Sequence, residues 1–149
     1  MIAESGGNRV VIRRRLRATR EELFDAWTDA EGMRAWMCPG AILSVDVQLD
    51  PRPGGTLLVI MRDATRTYEH RGEFLVVDRP SKLSFTWIAA ATDHQPTVVT
   101  VEFFAIDESE TDLVLTHERF PRKDASDQYR DGWSQIADRL ETHLSNRKK

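Results

Sequence analysis

Six segments between residues 41 and 120 alternate apolar and polar side chains, and this run constrains the fold more than any other feature of the chain. The segments are ILSVDVQL, TLLVIMR, YEHRGEFLVVD, KLSFTWI, TVVTVEFFAI and TDLVLTHERF. A period of two is typical of strands with one buried face. Turn-forming stretches such as DPRPGG, DRPS and DESET separate the segments, and no helical pattern lies between them. The sequence therefore predicts an antiparallel meander.

In five of the six segments, one set of alternate residues is apolar and is expected to face the core. The set consists of Val45, Val47, Leu49, Leu57, Val59, Met61, Leu83, Phe85, Trp87, Val99, Val101, Phe103, Leu113, Leu115 and His117. His117 is the exception, because it places a titratable imidazole on an apolar face.

The residues before the meander predict one further strand and two short helices. NRVVIRRRLRA alternates apolar and basic side chains, which indicates a first strand whose arginines at 13–15 lie on solvated faces. Thr19 with Glu22, and Thr28 with Glu31, match the capping box that opens a helix. Two successive helices, broken near residues 29–32, are the expected result.

The C-terminal stretch DQYRDGWSQIADRLETHL predicts one long amphipathic helix. Its apolar stripe consists of Tyr129, Trp133, Ile136, Ala137, Leu140 and Leu144. Gly132 lies at the flank of this stripe, although glycine in a helix costs roughly 1 kcal/mol relative to alanine. We expect it either to let the helix backbone come close to the sheet or to leave room beside the Trp133 ring.

Seven antiparallel strands should twist and curl around this helix, because long sheets do not stay flat. The predicted fold class is therefore α+β, with a curved sheet around a long C-terminal helix and two short helices after the first strand. Between helix and sheet, a space can remain that large side chains do not fill.

Several short motifs occur in a fixed order along the chain. They are Ala18-Thr19 with Glu22, Phe24, Ala26, Trp27 and Thr28; Trp36 before a Pro-Gly turn; the stretch DPRPGG at 50–55; Gly72; LSFTW at 83–87; Leu113, Leu115, Thr116, His117 and Phe120; and Gly132-Trp133 with Leu140. With these motifs the chain resembles the helix-grip proteins of the SRPBCC superfamily, which includes the major birch-pollen allergen and the steroid-transfer (START) domains. It resembles most the bacterial single-domain relatives of the activator of the heat-shock protein 90 ATPase. Met37 and Cys38 depart from the aromatic residue and glycine that the family often has there.

The resemblance implies one helix-grip domain over residues 8–145, with a flexible tail at 1–7 and a second tail at 146–149. It also implies an apolar cavity that holds a small apolar or aromatic molecule. The expected cavity residues are Met61, Tyr68, Phe85, Trp87, Phe103, His117, Tyr129, Trp133 and Ile136.

Two other functions remain open. One is a cyclase- or hydrolase-like enzyme that uses the same cavity, with His117 as the candidate general acid or base and Tyr68 or Arg62 polarising a carbonyl. The other is a protein-interaction module of the chaperone-activator kind. No portable catalytic motif occurs in the sequence, which favours ligand binding without catalysis.

Composition and spacing argue against several partners. The formal net charge of -3 gives no electrostatic basis for binding nucleic acid or an anionic membrane. The four histidines show no metal-ligand spacing, and we expect neither a metal nor a cofactor. Cys38 is expected to be an inert thiol, and the absence of a signal-peptide pattern predicts a cytoplasmic protein. The fold is compatible with a homodimer.

Overall fold

Seven antiparallel strands form one curved sheet, against which a long helix packs. In the computed structural model, which describes residues 9–147, the strands are β1 (Val10–Leu16), β2 (Ser44–Leu49), β3 (Thr56–Arg62), β4 (Thr67–Asp78), β5 (Lys82–Trp87), β6 (Thr97–Ala105) and β7 (Thr111–Glu118). Their spatial order is β1-β7-β6-β5-β4-β3-β2. The predicted meander is confirmed, and β1 completes the sheet by pairing with the last strand.

The helices are α1 (Arg20–Trp27), α2 (Ala30–Met33) and α3 (Lys123–Arg147), with a short 3-10 helix at Ala90–Thr92. The first capping box is confirmed, because the Glu22 amide donates to Thr19 Oγ1 at 3.1 Å and the Thr19 amide donates to Glu22 Oε1 at 2.9 Å. The second is wrong. Helix α2 begins after Asp29, and Thr28 instead closes α1 by donating its hydroxyl to the Phe24 carbonyl at 3.1 Å.

The predicted inward face of the sheet is buried, apart from two positions on β2. Val47 and Leu49 are only half-buried, whereas Val45 on the same strand is buried. Strand β2 lies at one edge of the sheet, so it has a neighbour on one side only. The stripe of α3 covers this face with Trp133, Ile136, Ala137, Leu140 and Leu144, all of which are buried.

The sequence predicted that the arginines at 13–15 all lie on solvated faces, and this prediction is wrong for Arg14. Arg13 and Arg15 are exposed, but Arg14 turns toward α3 and is half-buried. Its guanidinium pairs with the carboxylate of Asp138 and donates to the Ser134 carbonyl at 3.2 Å. Alternation along the strand explains the difference, since Arg14 lies on the face that the helix covers. Arg14 therefore ties the edge of the sheet to the long helix.

Gly72 lies where β4 passes close to β5. A Cβ atom at this position would collide with the backbone carbonyl oxygen of Thr86. The next residue, Glu73, donates its amide to Thr86 Oγ1 at 2.9 Å, so the two strands are held together at this point. Any side chain at position 72 would push the strands apart.

Replacing Gly72 with alanine should therefore destabilise the fold by ~1–3 kcal/mol, the usual cost of overpacking. Gly132→Ala is the matched control, because a Cβ there meets nothing within 4 Å and alanine favours helix. It should leave stability unchanged or raise it by up to ~1 kcal/mol. Urea unfolding of both variants measures the difference, and a Gly72→Ala variant as stable as the parent would contradict the close approach.

Candidate functional site

A cavity of about 390 Å³ lies between the β3–β4 hairpin and the first half of α3. Four segments form its wall: the loop after α2, the hairpin, the region around the end of β5, and the helix. The lining residues are Pro39, Gly40, Ala41, Ile42, Met61, Asp63, Tyr68, His70, Trp87, Ala91, Gln128, Tyr129, Asp131, Gly132, Trp133, Gln135 and Ile136. This volume suits a small organic molecule.

The structure brings six of the nine predicted cavity residues into this wall. They are Met61, Tyr68, Trp87, Tyr129, Trp133 and Ile136. Phe85, Phe103 and His117 lie elsewhere, which corrects the expectation that they face the cavity.

These three side chains belong to an aromatic core that fills the inner part of the space between sheet and helix. The ring of Phe85 packs edge-on against Phe74 at 5.8 Å, and the ring of Phe103 packs edge-on against Phe24 at 6.0 Å. The indoles of Trp87 and Trp133 lie 5.6 Å apart and line the cavity beside this core. The cavity therefore lies beside this core, toward one end of the space between sheet and helix.

His117 is buried and uses both ring nitrogens in hydrogen bonds within the protein. The indole N–H of Trp133 donates to Nδ1 at 2.9 Å, so the ring proton is on Nε2. Nε2–H in turn donates to Thr97 Oγ1 at 2.7 Å, and the Thr97 hydroxyl donates to the Trp87 carbonyl at 2.5 Å.

Burial lowers the pKa of His117 to about 3, so the imidazole is neutral. With both nitrogens occupied, this side chain holds β5, β6, β7 and α3 together, and no nitrogen is left for acid or base catalysis. Arg62 is also engaged elsewhere, because it pairs with Asp46 at 2.6 Å and does not line the cavity.

His70 is the cavity histidine that the sequence analysis missed. Its Nδ1 lies 3.1 Å from the Val59 carbonyl, which can only accept, so Nδ1 carries the proton and Nε2 is an unprotonated acceptor. No residue in the described part of the chain donates to that Nε2. The ring stacks on Trp87 at 4.8 Å, and burial lowers the pKa of His70. The sequence feature that could have identified His70 is its spacing from Phe74: the two residues are four apart on β4, so they lie on the same buried face.

Tyr129 supplies the opposite kind of polar group. Its hydroxyl oxygen accepts a hydrogen bond from the Trp87 indole N–H at 3.2 Å, and no acceptor among residues 9–147 takes its own proton. Burial raises the pKa of Tyr129 to about 12, which keeps the phenol protonated. Of the buried and half-buried side chains of the wall, His70 thus offers a free acceptor and Tyr129 a free donor.

The hairpin side of the cavity rim carries a carboxylate that is held by its own turn. Asp63 accepts from the Thr65 amide at 2.8 Å, the Arg66 amide at 2.7 Å and the Tyr68 hydroxyl at 2.7 Å. These bonds lower the pKa of Asp63 to about 2. The Tyr68 proton is therefore committed to Asp63.

The loop side of the rim is tied to α3. Gly40, with φ of +58°, donates its amide to Gln135 Oε1, and its carbonyl accepts from Arg139 at 3.3 Å. On the helix itself, a Cβ at Gly132 would meet nothing within 4 Å. Of the two roles expected for Gly132, the space beside Trp133 is the one observed, and the close approach of the backbone is wrong.

Other site types are not built into the described residues. Residues 9–147 contain no group of three or more histidine, cysteine, aspartate or glutamate side chains that could hold a metal ion. Cys38 is half-buried, with its thiol 3.7 Å from the Ala35 carbonyl. Within the same residues, no helix is long and apolar enough to cross a membrane.

Comparison with known proteins finds a matching family and solved structures with the same fold. The sequence model described as "Activator of Hsp90 ATPase homolog 1-like protein" matches residues 17–145. A solved structure from Rhodobacter sphaeroides aligns with TM-score 0.80 and 19% identity over 93% of each chain. An HSP90 activator from Plasmodium falciparum aligns with TM-score 0.74 and 23% identity, over 92% of this chain and 96% of its own. CalU16 from Micromonospora echinospora aligns with TM-score 0.69 and 20% identity, over 92% and 76%. No curated protein sequence matches the chain. At these identities the structural likeness shows the fold.

The neutral state of His117 makes stability depend on pH. Below the ordinary histidine pKa of 6.5, the unfolded chain takes up a proton that folded His117, with its pKa of about 3, does not. Stability should therefore fall as pH falls, by ~1.4 kcal/mol per pH unit from this residue. Urea unfolding at pH 7 and pH 5 should show a loss that is about 2 kcal/mol smaller in His117→Gln than in the parent.

His94→Asn is the control for this measurement, because His94 is exposed and asparagine tolerates its left-handed backbone, with φ of 58°. It should retain the parental pH dependence. An unchanged pH dependence in His117→Gln would contradict the neutral assignment.

Proposed function

The chain belongs to the family of Activator of Hsp90 ATPase homolog 1-like proteins, and on this premise we propose that it binds a small apolar or aromatic molecule between the sheet and α3. The observation that carries the proposal is the cavity of about 390 Å³ beside Trp87 and Trp133. A cavity of this size with an aromatic wall and a few polar groups is the usual form of a small-molecule site.

Apolar side chains from several elements of the wall favour an apolar ligand. Met61 and Ile136 present flexible and branched aliphatic groups from opposite sides, on β3 and α3. The indoles of Trp87 and Trp133 add planar surfaces on which a ring can stack. Gly132 keeps this region open, since it adds no side chain beside Trp133.

The enzyme hypothesis has less support than ligand binding. Its proposed base, His117, has both nitrogens hydrogen-bonded inside the core, and Arg62 pairs with Asp46 outside the cavity. Tyr68 lines the cavity, but its hydroxyl donates a hydrogen bond to Asp63. We therefore rank a cyclase- or hydrolase-like activity below simple binding.

The chaperone-activator hypothesis rests on the family description and on the fold that this chain shares with the HSP90 activator from Plasmodium falciparum. It requires an exposed surface that contacts the chaperone, and it makes no use of the cavity. Stimulation of a purified chaperone's ATPase by the parent protein, unchanged when the cavity is filled, would favour this module over ligand binding.

Filling the cavity from Gly132 should weaken binding. We predict that N-phenyl-1-naphthylamine, an uncharged fluorescent probe of apolar sites, binds the parent saturably and binds Gly132→Phe at least ~10-fold more weakly, because the new ring occupies the ligand's space. Fluorescence titration gives both dissociation constants, and native mass spectrometry of protein purified without denaturation tests for a retained ligand.

Gly132→Ala is the matched control, since its methyl group takes little of the open space and should preserve binding. Absence of saturable binding to the parent would refute the proposed function. Equal binding by Gly132→Phe would show that the probe binds at another surface of the protein.

A further inference from the structure

The free polar groups of the cavity define the chemistry of the ligand, an inference that rests on the proposed function. We propose that the ligand is an uncharged alcohol or phenol. Its hydroxyl donates to Nε2 of His70, and an oxygen of the ligand accepts from the Tyr129 hydroxyl.

The two groups lie around one aromatic side chain. His70 stacks on the Trp87 ring with centroids 4.8 Å apart and planes 28° apart, whereas Tyr129 accepts from the Trp87 indole nitrogen at 3.2 Å. A ring that packs beside Trp87 therefore has an acceptor and a donor around it. Their roles are fixed by the protein, because the Val59 carbonyl holds the proton of His70 on Nδ1 and the Trp87 N–H occupies the oxygen of Tyr129.

The charges of the wall argue against an anionic ligand. Among the described residues, the wall contains the carboxylates of Asp63 and Asp131 and no lysine or arginine. His70 is neutral and presents a lone pair, which repels a carboxylate rather than binding it. A fatty acid or aromatic acid would thus enter without a cation to pair with, at a high desolvation cost.

A cationic ligand fits less well than a neutral one. The Asp63 carboxylate is already bonded to two backbone amides and to Tyr68, and Asp131 is exposed on α3. An ammonium group also offers no acceptor for Tyr129. An uncharged hydroxyl compound satisfies both free groups, whereas a hydrocarbon of the same shape leaves them dry and unpaired.

Three matched naphthalenes at pH 7.5 test this inference by displacing N-phenyl-1-naphthylamine: 2-naphthol, 2-methylnaphthalene and 2-naphthoate. We expect 2-naphthol to bind ~10-fold more tightly than 2-methylnaphthalene, because only the hydroxyl compound satisfies both free groups. The carboxylate should bind most weakly. A fourth compound, 2-naphthylmethylamine, is cationic at this pH and should bind more weakly than 2-naphthol.

Variants identify the groups responsible. His70→Phe keeps the ring against Trp87 but removes the acceptor, and Tyr129→Phe removes the donor. In each variant the advantage of 2-naphthol over 2-methylnaphthalene should fall to about twofold or less. His94→Asn is the control, because this histidine is exposed and lies outside the cavity wall, so its loss should leave the ratio unchanged.

The ratio of the two affinities is measured on the same protein sample, so partial unfolding of a variant does not imitate the effect. If N-phenyl-1-naphthylamine does not bind the parent protein, the proposed function itself fails. If it binds but 2-methylnaphthalene competes as well as 2-naphthol, ligand binding stands and this inference is overturned. Tightest binding of the carboxylate or of the ammonium compound would also overturn it.

Discussion

The contact between the indoles of Trp87 on β5 and Trp133 on α3 organises the interior of this protein. Each indole N–H is donated to a different side chain, Tyr129 in one case and His117 in the other. The two rings therefore fix polar groups in two neighbouring environments, a dry core and an open cavity. A substitution at either tryptophan would alter packing and hydrogen bonding in both regions at once.

The two buried histidines show how the same side chain serves different ends. Burial lowers the pKa of His117 and of His70, so both rings are neutral. His117 has a partner on each nitrogen and acts as a cross-link between strands and helix. His70 has a partner on one nitrogen only, so the other can serve a ligand. Both histidines are buried, so burial does not distinguish them. The number of ring nitrogens with a hydrogen-bond partner does.

The sequence predicted the strands, the first capping box and the long helix because these depend on local periodicity and local hydrogen bonds. It did not predict which inward-facing side chains fill the core and which line the cavity, since the packing of Phe85 and Phe103 depends on rings from distant segments. His70 was missed because a register shift between Phe74 and Val76 obscures the alternation of β4. Arg14 was assigned to solvent because its partner on α3 is over a hundred residues away.

The tie between Gly40 and α3 holds one side of the cavity rim through backbone groups. Gln135 and Arg139 bond the rim loop to the helix through its backbone amide and carbonyl, and neither Trp87 nor Trp133 takes part. A displacement of the rim loop would break those two bonds and leave both indoles in place. A substitution at position 139, which lies outside the cavity wall, would therefore loosen the rim without changing a lining side chain.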